Sequence, residues 1–144
     1  MLSRFFGEPS KKIGFEDVKY VVDHPTQYLL INTLPATEQR CLIKTTLPCA
    51  VEETAINEKI TQMQMKKCVI VLYGRNSADI TVETKYKQLS SLGFANVYIY
   101  AGGLFEWLLL QDVYGFAEFP TTEKEIDILR FRANKMFNVP RIGY

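Results

Sequence analysis

Three short apolar runs, at 28–32, 69–73 and 97–100, are separated by stretches long enough to form helices, and this alternation constrains the fold more than any other feature of the chain. An apolar run of four or five residues fits a strand covered on both faces, as in a parallel sheet, better than a strand with one wet face. Between the runs, Ala55, Ile56, Ile60 and Met63 recur at helical spacing within 51–65. Glu52 and Glu53 stand there where the positive end of a helix dipole favours negative charge. Ile80, Val82, Tyr86, Leu89 and Leu92 make a second such pattern within 80–92, and Gly93 follows as a helix stop. Strands alternating with helices predict an α/β architecture whose ligand sites lie at the carboxyl ends of a parallel sheet.

The flanking segments are less regular. Phe15, Val18 and Val22 predict a short helix that stops before His24-Pro25, because a residue preceding proline avoids the α region. Residues 33–50, with Pro35 and Pro48 among threonines, read as a long connection holding one edge strand near 42–44 or around Cys49. After the third run, Gly102 and Gly103 supply a tight turn into a very apolar helix at 104–110. Thr122-x-x-Glu125 has the form of a capping box and predicts a last helix through Ile126, Leu129 and Ala133. The chain thus divides into an arm at 1–12, a domain at 13–119 and a helical extension at 120–144.

A chain of 144 residues that is 47% hydrophobic suits one domain with a sizeable core. A net charge of +1 gives no global reason to bind nucleic acid or an anionic membrane. The opening residues have too short an apolar run for a signal peptide, and no window of eighteen apolar residues occurs, so an intracellular, cytoplasmic protein is expected. Cys41, Cys49 and Cys68 lack the spacing of metal or redox motifs and read as reduced thiols, so neither a metal nor a cofactor is expected. His24 is the only histidine, which excludes a histidine-based triad and suits a helix end.

Residues 68–77, Cys-Val-Ile-Val-Leu-Tyr-Gly-Arg-Asn-Ser, and residues 93–107, Gly-Phe-Ala-Asn-Val-Tyr-Ile-Tyr-Ala-Gly-Gly-Leu-Phe-Glu-Trp, together resemble the second half of a rhodanese-like domain. The resemblance implies a parallel sheet of about five strands with helices on both faces, to which this chain adds a C-terminal helix. It also puts Gly74 where the family carries its catalytic cysteine. From 13 to 49 the likeness is looser, and Asn32-Thr33-Leu34 stands where the family's strand usually ends in Asp-Val-Arg.

Sulfur transfer in that family needs a thiolate that becomes a persulfide, ringed by backbone N–H groups and usually an arginine. Glycine has no side chain to carry sulfur, and the position five residues on, where the family often has arginine, is Asp79. Cys68 lies at the other end of a five-residue strand, roughly 17 Å away. Cys41 and Cys49 lie in the uncertain connection, and either one reaching the loop would make an atypical sulfurtransferase acting on thiosulfate-type donors. The degenerate loop Gly74, Arg75, Asn76, Ser77 and Asp79 can hold an anion or nucleotide through its N–H groups. It can equally be a plain turn with a solvated Arg75 and with Ser77 or Asp79 capping the next helix. Its spacing fits no Walker motif.

Trp107 reads as a core anchor whose indole N–H needs a partner. Tyr114, Phe116, Phe119, Phe131, Phe137 and Tyr144, with Arg141, form either an interface or the packing face of the terminal helix. The expectation is a catalytically inactive rhodanese-like domain that serves as a protein-binding, regulatory or structural module. Its partner would be another protein or a second copy.

Overall fold

The computed structural model describes residues 9–137. Strand β1 (Lys12–Ile13) leads into helix α1 (Phe15–Asp23), and β2 (Tyr28–Asn32) is followed by a long connection and α2 (Cys49–Thr61). Then β3 (Val69–Tyr73), α3 (Thr81–Ser91), β4 (Asn96–Tyr100) and α4 (Gly103–Tyr114) alternate as the sequence predicts. The strands form one parallel sheet in the order β1-β4-β3-β2, with Leu30 beside Val71 and Val71 beside Tyr98. Helix α1 ends at His24, whose N–H donates to Val21 O at 3.0 Å and whose ring stacks on Tyr20. Proline fixes the start of α2, since Pro48 immediately precedes its first residue.

Alternation along each strand divides the core in two. Leu30, Val71, Tyr73 and Tyr100 face α1 and α4, which contribute Val18, Val21, Leu104, Trp107 and Leu108. Ile31, Ile70, Leu72, Val97 and Ile99 face α2 and α3, which contribute Ile56, Val82 and Leu89. Helices therefore cover both faces of the sheet, which is why its strands read as continuous apolar runs. Trp107 is fully buried and its Nε1–H donates to Pro120 O at 3.1 Å, so the indole has the partner its burial requires.

Three expectations are corrected. The sheet has four strands among the described residues, not about five, and the edge strand expected near 42–44 is a single antiparallel bridge between Ile43 and Thr121. Cys49 opens a helix and belongs to no strand. The C-terminal helix is also absent from the described residues: 120–131 runs as irregular chain into a short 3-10 turn, Ile128–Phe131. Its capping-box residues serve other partners. Thr122 donates its N–H to Leu42 O and its hydroxyl to Arg40 O, while the Glu125 carboxylate pairs with Arg40 and Arg130. With both side chains engaged across the chain, no first helical turn is closed, and nucleation is the costly step in forming a helix.

Candidate functional site

The loop that follows β3 leaves the sheet at its carboxyl end and enters α3 at Thr81. Tyr73 anchors its root: the hydroxyl accepts Ile43 N–H at 3.1 Å and lies 2.7 Å from Thr46 Oγ1, and burial pushes the phenol pKa upward. Helix α4 closes the loop from below. Leu104 N–H donates to Gly74 O at 2.9 Å and Phe105 N–H to Arg75 O at 2.8 Å, so two of the free N–H groups at the start of α4 are used by loop carbonyls. Gly103 makes this approach possible: its φ is +66°, and a Cβ there would lie 2.9 Å from the backbone of Asn76 and from Gly74 O.

The cradle itself is filled from within. Asp79 turns back into the loop, where Oδ2 accepts Arg75 N–H at 2.9 Å while Oδ1 accepts both the N–H and the hydroxyl of Thr81. A Cβ placed on buried Gly74 would overlap the Asp79 carboxylate and lie 2.5 Å from Val82 Cγ2. Asn76 Oδ1 accepts Ala78 N–H at 2.9 Å, and Asp79 N–H donates to Asn76 O. Ser77 is exposed, and the capping work falls to Asp79.

Arg75 is not the solvated residue of the plain-turn reading, nor does its side chain enter the loop. Its guanidinium pairs with Glu38, donates to Arg130 O and lies over the Phe131 ring, 5.4 Å from the centroid. Asn76 Nδ2 donates to Phe131 O at 2.9 Å. The loop thereby grips the segment 128–131, whose Phe131 is 2% exposed. A charge network spreads from this grip: Glu38 lies between Arg75 and Arg130, and Glu125 between Arg130 and Arg40. Sequence reasoning missed Glu38, Arg40 and the pairing of Arg130, none of which has a local motif, while Glu125 carried a competing signal as the second half of a capping box.

The three thiols stand apart. Cys41 is buried and donates to Glu123 O at 3.2 Å; desolvation raises its pKa, and that of half-buried Cys68. Cys49 is exposed at the first position of α2 and lines a cavity of about 350 Å³ with Asn32, Thr33, Thr81 and Lys85. Among the aromatic residues expected at an interface, Phe119 and Phe131 are buried in the core and are thus removed from any surface patch. Phe119, in the chain that follows α4, packs on the rings of Phe15 and Trp107, and Phe131 turns inward from the 128–131 turn onto the same cluster. Tyr114, Phe116 and Phe137 are exposed, while Arg141 and Tyr144 lie outside the described residues. No group of three or more acidic, histidine or cysteine side chains with metal-binding geometry occurs among the described residues. No helix among them is long and apolar enough to cross a membrane.

A four-stranded parallel sheet wrapped by helices on both faces, with a helix-entering loop at the carboxyl end of β3, defines the class: a small α/β domain. The family model for the rhodanese-like domain matches residues 28–110, more than half of the chain, and the chain belongs to that family. Among curated proteins there is no significant match. The structure is similar to the BH2092 protein of Bacillus halodurans, with 20% identity and a TM-score of 0.55 over 79% of this chain and 80% of that one. It is likewise similar to the Alr3790 protein of Anabaena, with 18% identity and a TM-score of 0.54 over 82% and 86% of the two chains. The single-domain sulfurtransferase RDL2 of Saccharomyces cerevisiae aligns with 19% identity and a TM-score of 0.54 over 75% of this chain and 96% of its own. Likeness at these identities establishes the fold.

Proposed function

We propose that this rhodanese-like domain is catalytically silent and works as a protein-binding or structural module. The observation that carries the reading is the pairing of Gly74 with Asp79: the position the resemblance gives to the nucleophile has no side chain, and a carboxylate fills the space beside it. A persulfide there would need both a sulfur and an electropositive cradle, and the cradle holds a negative group already. The same occupancy weighs against an anion or nucleotide at this loop. Arg75, the residue able to attract an anion, is committed to Glu38 and to the 128–131 turn. The interface in this reading comprises Tyr114, Phe116 and Phe137, together with Arg141 and Tyr144.

The alternative sulfurtransferase has Cys49 in its favour, the exposed thiol beside the cavity at the carboxyl end of β2. Intact-mass analysis of the reduced protein after incubation with thiosulfate or 3-mercaptopyruvate separates the two. We expect no added sulfur while an active rhodanese control loads. One sulfur mapped to Cys49 or Cys41 would replace this reading with an enzyme whose nucleophile is displaced.

A further inference from the structure

The cleft between α1 and the sheet is far from the β3–α3 loop and has the chemistry of a cation site. It encloses about 430 Å³ between Tyr20, Tyr28 and Tyr98, over a floor that includes Val69 and Val71, with Asp17 also in its wall. Tyr20 and Tyr28 meet edge to face, 6.0 Å between centroids and 82° between planes, and so make two perpendicular aromatic walls. Tyr98 stands on β4 beyond β3, two strand spacings or about 9–10 Å across the sheet from β2 and two residues further along it than Tyr28, with Val69 and Val71 between them.

We propose that this cleft receives an arginine side chain of a partner protein. Tyrosine rings carry negative π faces, of which one on Tyr20 is taken by the stacked His24 ring, and Asp17 adds a carboxylate that makes no hydrogen bond or ion pair among the described residues. Helix α1 carries Glu16, Asp17 and Asp23 against one base, Lys19, which is paired with Glu118, so the helix adds negative charge beside the cleft. Arginine fits better than lysine because its planar, weakly hydrated guanidinium stacks on tyrosine, and its stem can lie on the valine floor. Lys11, which is not part of the cavity wall, already holds its ammonium 4.9 Å from the Tyr98 centroid, so one of these rings accepts a cation within the chain itself. The inference deepens the reading of the domain as a binding module by naming the chemistry of its partner.

The test is an NMR titration of the full-length protein with N-acetyl-arginine amide and, separately, with its neutral isostere N-acetyl-citrulline amide. Saturable shifts are expected around residues 17–21, 28, 69–71 and 96–98, with the citrulline compound at least ~5-fold weaker. Tyr98→Leu and Asp17→Asn are each expected to weaken the arginine response several-fold without changing the melting temperature appreciably. Absence of shifts at millimolar ligand, equal response to both compounds, or undiminished binding by both variants overturns the proposal. Failure here without persulfide formation leaves the silent-domain reading standing, whereas a mapped persulfide defeats that reading whatever the cleft binds.

Discussion

The carboxylate of Asp79 occupies the space that a side chain on Gly74 would have to enter, and it is held there by the backbone N–H of Arg75. In the proposed reading, the position that the resemblance gives to a cysteine is spanned here by an aspartate from five positions downstream. Introducing a thiol at position 74 alone therefore makes no sulfur-transfer site. Gly74→Cys should destabilise the domain by about 1–3 kcal/mol, the usual cost of overpacking, and take up no sulfur from thiosulfate. Combining it with Asp79→Ala should cost less than the two single changes added together, because the contacts are shared. Urea denaturation of the four proteins measures this coupling, and strictly additive values would show that the two residues do not compete for one space.

Phe131 and Arg75 tie the C-terminal segment to the loop. Phe131→Ala removes a ring that is 2% exposed and should cost about 3–5 kcal/mol. Arg75→Ala should cost about 1–3 kcal/mol, because it strips Glu38 of its nearest cation while Glu38 Oε2 already lacks a hydrogen-bond partner. Replacing Glu38 with Gln in the Arg75→Ala background should recover part of that loss. Melting curves decide the matter, and a neutral Arg75→Ala variant would remove the clamp from this account.

The thiols should react in the order of their exposure. Cys49 is open to solvent, whereas Cys41 is 3% exposed, donates to Glu123 O and has a pKa raised by desolvation. Iodoacetamide at neutral pH should therefore label Cys49 first and Cys41 only on unfolding. Peptide mapping over time reads this directly, and fast labelling of Cys41 in the folded protein would contradict its burial.

Stability should fall on the alkaline side. Burial raises the pKa values of Cys41, Tyr73 and Tyr100 above their ordinary 9.0, 10.0 and 10.0, and Tyr100 also donates to Glu106 at 2.6 Å. Their contribution is complete below those ordinary values and is lost as pH rises beyond them, because the unfolded chain releases protons that the folded chain keeps. The melting temperature should thus decline from about pH 9 upward, first through Cys41 and then through the tyrosines. Tyr73→Phe should flatten the decline above pH 10, yet cost about 1–3 kcal/mol at neutral pH by leaving the buried Ile43 N–H without its acceptor.

The sequence by itself determined the alternation of strand and helix, because 28–32, 69–73 and 97–100 are apolar on both faces and Gly93 and Gly103 mark turns through their positive φ. It also determined that no thiol stands at position 74. Only the tertiary structure decided what fills that position, where Arg75 points, and which of the late aromatics are core. A carboxylate five residues away, a clamp between residues 75 and 131, and a bridge between 43 and 121 are contacts between parts of the chain whose local patterns carry no trace of one another. The same holds for the expected last helix. Thr122 and Glu125 have the right spacing for a capping box, but the backbone and side chains of 40–44 bind them more completely than a first helical turn would. Local propensity is a preference of a fraction of a kilocalorie per residue, and a set of satisfied long-range hydrogen bonds outweighs it.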